Sequence, residues 1–134
     1  MNWLFKEEPG SYSFSSLVKD GGTTWSGVRN PLAQKHLRAV RKGDRILYYH
    51  TGSERAIVGT ALAASDPYPD PADKTQRRVA VDIAPVAAFA SPVGLAAIKA
   101  HKAFASHPLV RMGRLSVMPI TDVELAAIER LARA

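Results

Sequence analysis

Apolar and polar positions change period several times along this chain, and the changes divide it into strands and helices. Asn2–Lys6 reads as a short strand, ended by the turn signal Glu7-Glu8-Pro9-Gly10. Ser13–Asp20 has the look of a short helix, with Ser13 or Ser15 as cap and Gly21-Gly22 as its stop. Leu32, Leu37 and Val40 then recur at helical spacing, while Lys35, Arg38 and Arg41 point elsewhere, and Gly43 closes that helix. In Asp44–His50 the pattern switches to alternation: Ile46, Tyr48 and His50 share one face, Leu47 and Tyr49 the other. Thr51–Arg55 is a hairpin-length loop, and Ala56–Ala64 is a strand that pairs back. Gly59 inside that strand points to a bulge or a close approach to its backbone.

Asp66–Asp73 holds three prolines and reads as an irregular loop. Arg78–Ala84 and Val86–Phe89 are further strands divided by Pro85, and Ser91-Pro92 opens an amphipathic helix through Leu95, Ala96, Ile98 and Lys99. His107–Gly113 is loop and Leu115–Met118 the last strand. Thr121 with Glu124 forms a capping box for a final helix. Strands cluster in mid-chain and helices at both ends, so the fold class is α+β, a small curled mixed sheet with helices packed on it.

The length of 134 residues and an apolar fraction of 46% suit one domain, residues 1–134, with a single core. No apolar run is long enough to cross a membrane, and the first residues carry no secretory pattern. Zero cysteines exclude disulfides and thiolate metal sites and fit a reducing compartment, so a cytoplasmic location is expected. A net charge of +6 suggests a polyanionic partner, with a plain solvated basic surface as the alternative.

The stretch Thr24-Trp25-Ser26-Gly27-Val28-Arg29-Asn30 concentrates the candidate chemistry. Asn30-Pro31 opens the helix, since Asn is a preferred cap and Pro suits the first turn. Trp25–Asn30 is therefore read as a loop entering a helix N-terminus, with a flat aromatic beside amide donors and a cation. Trp25 lies outside any periodic apolar face, which favours ligand stacking over core packing; Trp3 is read as core. Arg29, Lys35, His36, Arg38, Arg41, Lys42 and Arg45 face only Asp44, a stripe suited to phosphates or simply a solvated helix face. Arg111 and Arg114 flank a glycine and suit phosphate or base-edge contacts, with salt bridges to Glu7, Glu8 or Asp82 as the alternative. Catalytic and nucleotide-binding signatures are missing, and the four histidines show no metal-ligand spacing. No metal or cofactor is expected.

Six ordered blocks resemble the EVE domain family: Trp3–Pro9, Trp25–Asn30, Leu47–His50, Ile57-Val58-Gly59, Asp66–Asp70, and Leu109-Val110-Arg111 with Arg114–Val117. The resemblance covers essentially the whole chain and is that of a bacterial single-domain member. It implies a PUA-like fold, a small curled β-barrel flanked by helices, related to YTH readers of methylated RNA bases. It also implies a non-catalytic module, expected to be monomeric, that receives a modified nucleobase such as methylated or hydroxymethylated cytosine from DNA or RNA in an aromatic pocket. Carried over, the ligand-binding residues are Lys6, Glu7, Glu8, Trp25, Gly27, Val28, Arg29, Asn30, Tyr49, His50, Arg114, Leu115 and Ser116. Arg29, Lys35, Arg38, Arg111 and Arg114 would hold phosphate. Glu7 stands where serine is frequent in the family, and a carboxylate at the pocket rim would repel phosphate or select a base presenting a donor. The alternatives are a PUA-like hydrolase or nuclease of the ASCH type, and a sensor of a free nucleoside-like molecule.

Overall fold

The computed structural model describes residues 1–133. Its spine is β1 (Asn2–Glu7), which runs parallel to β3 (Arg45–His50) and antiparallel to β7 (Val117–Ile120). From β3 the sheet continues antiparallel through β4 (Ala56–Ala63) and β6 (Val79–Gly94) to β2 (Thr23–Trp25). A two-residue strand, β5 (Tyr68–Pro69), also pairs with β6. The result is a curled, mixed sheet. The helices are α1 (Pro9–Tyr12), α2 (Phe14–Asp20), α3 (Pro31–Ala39), α4 (Leu95–Ala100), α5 (Pro108–Arg111) and α6 (Asp122–Arg133), with a 3₁₀ turn at Lys102–Phe104.

The alternation read in β3 holds. Ile46 to His50 are all buried because both faces of the sheet are covered. Trp3, Phe5, Ile46 and Tyr48 take one face, against Phe14 of α2, Trp25 and His36 of α3. Leu4, Lys6, Leu47 and Tyr49 take the other. Trp3 is fully packed, and its indole N–H donates to Asp44 at 2.9 Å. Gly59 is a close approach: a Cβ there would lie 2.6 Å from the Phe14 ring and 2.8 Å from the Ala87 carbonyl oxygen.

The caps fall where the side chains predict. Ser13 Oγ accepts from Ser16, Asn30 Oδ1 accepts from the Ala33 N–H at 3.0 Å, and Thr121 and Glu124 bond reciprocally. Other boundaries differ. Trp25 ends a strand rather than starting a loop, because Thr23–Trp25 pairs with Val81–Ile83. Pro85 does not divide β6, nor does Pro92 open a helix. Pro85 sits beside Ala61 next to a register shift, and residues 89–92 lie opposite the single residue Val58 between paired Ala88 and Val93. Both prolines thus occupy irregularities where no ladder donor is required. Helix α4 begins two residues after Val93, with Gly94 at its cap. Pro9–Tyr12 and Pro108–Arg111, read as turn and loop, are single helical turns with proline at the first position. The last strand begins at Val117 rather than Leu115.

Candidate nucleic-acid interface

Because β1 and β3 are parallel, their C-terminal ends arrive together. Lys6 is in register with Tyr49, and Glu7 with His50. The Thr51 N–H closes the pair by donating to the Glu7 carbonyl at 2.9 Å. On the other side the Lys6 N–H donates to the Ser116 carbonyl at 2.9 Å. Three of the four predicted segments therefore meet. Pleating then sorts their side chains: Lys6 and Tyr49 emerge on one face, Glu7 and His50 on the opposite one.

The Lys6 face holds a depression of about 250 Å³, lined by Lys6, Tyr49, Thr51, Arg55, Leu95 and Leu109 among others. The Lys6 ammonium donates to the Gly113 carbonyl at 2.8 Å and lies 5.8 Å from the centre of the Tyr49 ring. Among the described residues no carboxylate approaches it within ion-pair distance, and burial pulls its pKa below the ordinary 10.5. Burial raises the Tyr49 phenol, opposed in part by the Arg55 charge. Glu8 is exposed, with its carboxylate accepting from the Thr51 hydroxyl at 3.4 Å over Gly52. The Glu8 N–H is taken by the Glu7 carboxylate at 2.9 Å.

The opposite face corrects two expectations. Trp25 is not an open shelf: its ring is only 6% exposed and lies 5.2 Å from Phe5 and 5.6 Å from Tyr48, nearly perpendicular to the latter. Pairing of β2 with β6 directs the indole onto the packed aromatic face, where its large apolar surface is covered. His50 does not offer its ring to a ligand either. Its Nε2 accepts from the Phe14 N–H at 3.0 Å, which places the proton on Nδ1, 2.7 Å from the Glu54 carboxylate.

Beyond Trp25 the segment 26–30 stays on the surface, pinned at three points. The Gly27 N–H donates to Asp70 at 2.8 Å, and Gly27 has φ of 72°, a conformation that favours glycine. The Val28 side chain is buried, and its carbonyl accepts from Gln34 at 2.8 Å. Asn30 caps α3. Ser26, Arg29 and Asn30 are exposed between these anchors. Neither Asp70 nor Gln34 stood out in the sequence, yet both are buried and hold this loop. The Asp-Pro-Tyr-Pro-Asp block carried a signal for Asp70; a lone glutamine in a basic helix carried none.

Arg29, Lys35, Arg111 and Arg114 are exposed. Arg38 is tied down, its guanidinium donating to the Arg77 carbonyl at 2.6 Å. Leu115 is buried core, and Ser116 contributes its carbonyl to Lys6. The described residues contain no cluster of side chains able to hold a metal, and no helix long and apolar enough to cross a membrane.

The EVE domain family model matches residues 1–131. Thymocyte nuclear protein 1 of Rattus norvegicus is 31% identical over 166 aligned positions, covering 98% of this chain and 74% of the rat protein. Among solved structures, Rpa0253 of Rhodopseudomonas palustris superposes with a TM-score of 0.93 at 40% identity, over 98% of this chain and 92% of that one. The human THYN1 protein, solved in complex with 5-methylcytosine containing DNA, superposes with a TM-score of 0.89 at 28% identity, over 99% of this chain and 98% of the human one. The curled sheet with its flanking helices is the PUA-like fold.

Proposed function

The chain belongs to the EVE domain family, and we propose from that premise that it is a non-catalytic nucleic-acid-binding module. In this reading residues 1–134 act as one unit that receives a modified base, such as methylated or hydroxymethylated cytosine, at the joined ends of β1 and β3. One observation carries it: the whole-chain likeness to a human protein solved with DNA containing 5-methylcytosine. The local chemistry supports it. A base entering beside Lys6, Glu8 and Tyr49 meets an ammonium, a carboxylate and backbone carbonyls for its polar edge, and Leu95 and Leu109 for its ring. Glu7 presents its carboxylate on the other side of the strand ends, Gly27, Arg29 and Asn30 offer polar groups from the exposed loop that follows Trp25, and Arg114 and Ser116 adjoin the Lys6 edge. Trp25, Val28, His50 and Leu115 serve from within, holding these segments in place.

Exposed Arg29, Lys35, Arg111 and Arg114 supply the cations for the flanking phosphates. A buried methyl contributes about 0.8 kcal/mol, a several-fold preference. Extruding a base from a duplex costs a few kcal/mol, so single-stranded or unpaired sites bind more readily. The enzymatic alternative would move protons with Lys6 and Glu8 beside Tyr49; Glu8 is exposed to solvent, which gives that reading less support.

The test is fluorescence anisotropy with labelled single-stranded oligonucleotides carrying cytosine, 5-methylcytosine or 5-hydroxymethylcytosine, against wild type and Lys6→Met. Tighter binding of a marked strand, weakened by the substitution, is expected. Equal affinity for all strands in both proteins overturns the reading. Steady turnover of an RNA substrate, abolished by Glu8→Gln, would replace it with a hydrolase.

A further inference from the structure

Lys6 is an unusual lysine for a basic protein surface. Its backbone is clamped on both sides, by the Ser116 carbonyl and by the parallel pairing with β3, so its Cα cannot drift. The amine lies in the wall of the 250 Å³ cavity, with one hydrogen engaged by the Gly113 carbonyl at 2.8 Å. Two further valences remain for whatever occupies the cavity. Arg55 lines the same wall and the Glu8 carboxylate lies over neighbouring Gly52, but no carboxylate of the described residues sits within ion-pair distance of the amine. Tyr49, Leu95 and Leu109 supply a largely apolar lining. Desolvation without an ion-pair partner disfavours the charged ammonium, which eases loss of the proton that masks its lone pair. The lowered pKa of Lys6 agrees with that geometry.

We propose that Lys6 is a covalent, reversible acceptor for aldehyde-bearing bases, its amine condensing with a formyl group presented in the cavity to form an imine. The proposal deepens the base-binding reading and rests on it for the arrival of the base. A formyl group at position 5 of cytosine would occupy the place of the methyl in a methylated base. In the first step the amine nitrogen bonds to the carbonyl carbon, the carbonyl π pair moves to oxygen, and one proton passes from nitrogen to that oxygen. In the second the carbon–oxygen bond breaks, the remaining amine proton leaves with the hydroxyl as water, and the carbon–nitrogen double bond forms. No oxidant, reductant or metal enters the balance, and water reverses it.

The experiment incubates the full chain with a single-stranded oligonucleotide containing one 5-formylcytosine, reduces with borohydride and maps the adduct by peptide mass spectrometry. The matching 5-methylcytosine strand is followed in parallel by anisotropy. Label at Lys6 is expected to exceed that at exposed Lys35 or Lys99 by roughly an order of magnitude, and to vanish in Lys6→Arg. Adducts spread evenly over the exposed lysines overturn the proposal. Because the wild-type map decides this alone, a poorly folding variant does not blunt the test. Binding of the 5-methylcytosine strand without trapping at Lys6 removes this inference and leaves the base-binding reading standing. Selective labelling of Lys6 by free benzaldehyde, with no oligonucleotide binding, retains the reactive amine and removes the reading.

Discussion

The carboxylate of Asp70 accepts the Gly27 N–H at 2.8 Å, joining two loops separated by 43 residues of chain. Its second oxygen accepts the Ala72 N–H at 2.8 Å, and the residue is 2% exposed. A buried carboxylate that receives two backbone donors both positions the segment 26–30 and leaves those donors unpaired if removed.

Asp70→Ala is therefore expected to lower stability by about 1–3 kcal/mol, and to loosen the loop as well. Hydrogen exchange at residues 26–30 should rise by more than global destabilisation explains, with weaker oligonucleotide binding. Asp70→Asn keeps a single acceptor and turns its NH2 toward the other backbone donor, so it should recover only part of the loss. Unchanged exchange in the alanine variant would show that Gly27 is held by other contacts.

Gly59 offers a second, purely steric test. A methyl there meets the Phe14 ring at 2.6 Å and the Ala87 carbonyl at 2.8 Å, one a side chain and the other backbone. Gly59→Ala should cost about 1–3 kcal/mol through overpacking, read as a fall in the urea midpoint. Adding Phe14→Leu should restore only part, because the Ala87 carbonyl belongs to the sheet and cannot swing away.

The same contacts show what could be read from the residues alone. Period-two alternation in β3 depends only on local geometry, so its two faces were legible, as were the caps at Ser13, Asn30 and Thr121. The close approach at Gly59 was legible too, though its partner was not. What escaped depends on pairing partners remote in the chain. Trp25 is buried because β2 joins β6, and nothing near Trp25 announces that strand. Pro85 and Pro92 are tolerated in β6 because β4 shifts register beside them, a property of two strands rather than one. His50 was legible as a strand-end histidine but not as the acceptor for the Phe14 N–H, 36 residues away. The family resemblance supplied four candidate segments, and the structure brings together Lys6–Glu8, Tyr49-His50 and Arg114–Ser116. Which of their side chains share a face was set by the pleat.

Part of the acid sensitivity should come from Asp44, alongside Asp73, whose carboxyl the Thr75 hydroxyl and backbone N–H groups pull down to about 2. Burial pushes the Asp44 carboxyl up, but the Trp3 indole, the Arg41 N–H and the N-terminal ammonium outweigh that, leaving it below the ordinary 3.8. A depressed folded-state pKa contributes stability that is fully present above the unfolded value and is lost as pH falls through the folded one. Stability should thus decline as pH drops below about 4, with part of that slope absent in Asp44→Asn. Urea melts between pH 5 and pH 2 measure it, and identical slopes in the two proteins would assign acid unfolding to other carboxylates.

The exposed cations divide by what already holds them. Arg111 and Arg114 lie within two residues of Gly113, which lines the pocket, and Lys35 lies on α3, all three exposed. Arg38, although on the same helix, has its guanidinium committed to the Arg77 carbonyl at 2.6 Å. Each phosphate contact removed lowers the slope of log affinity against log salt by about 0.7 for a single strand. Arg111→Ala and Arg114→Ala should each show a decrease of that size and weaken marked and unmarked strands alike, since phosphate contacts carry no base information. Arg38→Ala should leave the slope near wild type while lowering the thermal midpoint slightly through the lost tether. The salt dependence of oligonucleotide anisotropy separates these outcomes. A full loss of slope in Arg38→Ala, with none in the rim variants, would move the phosphate track from the pocket rim to α3.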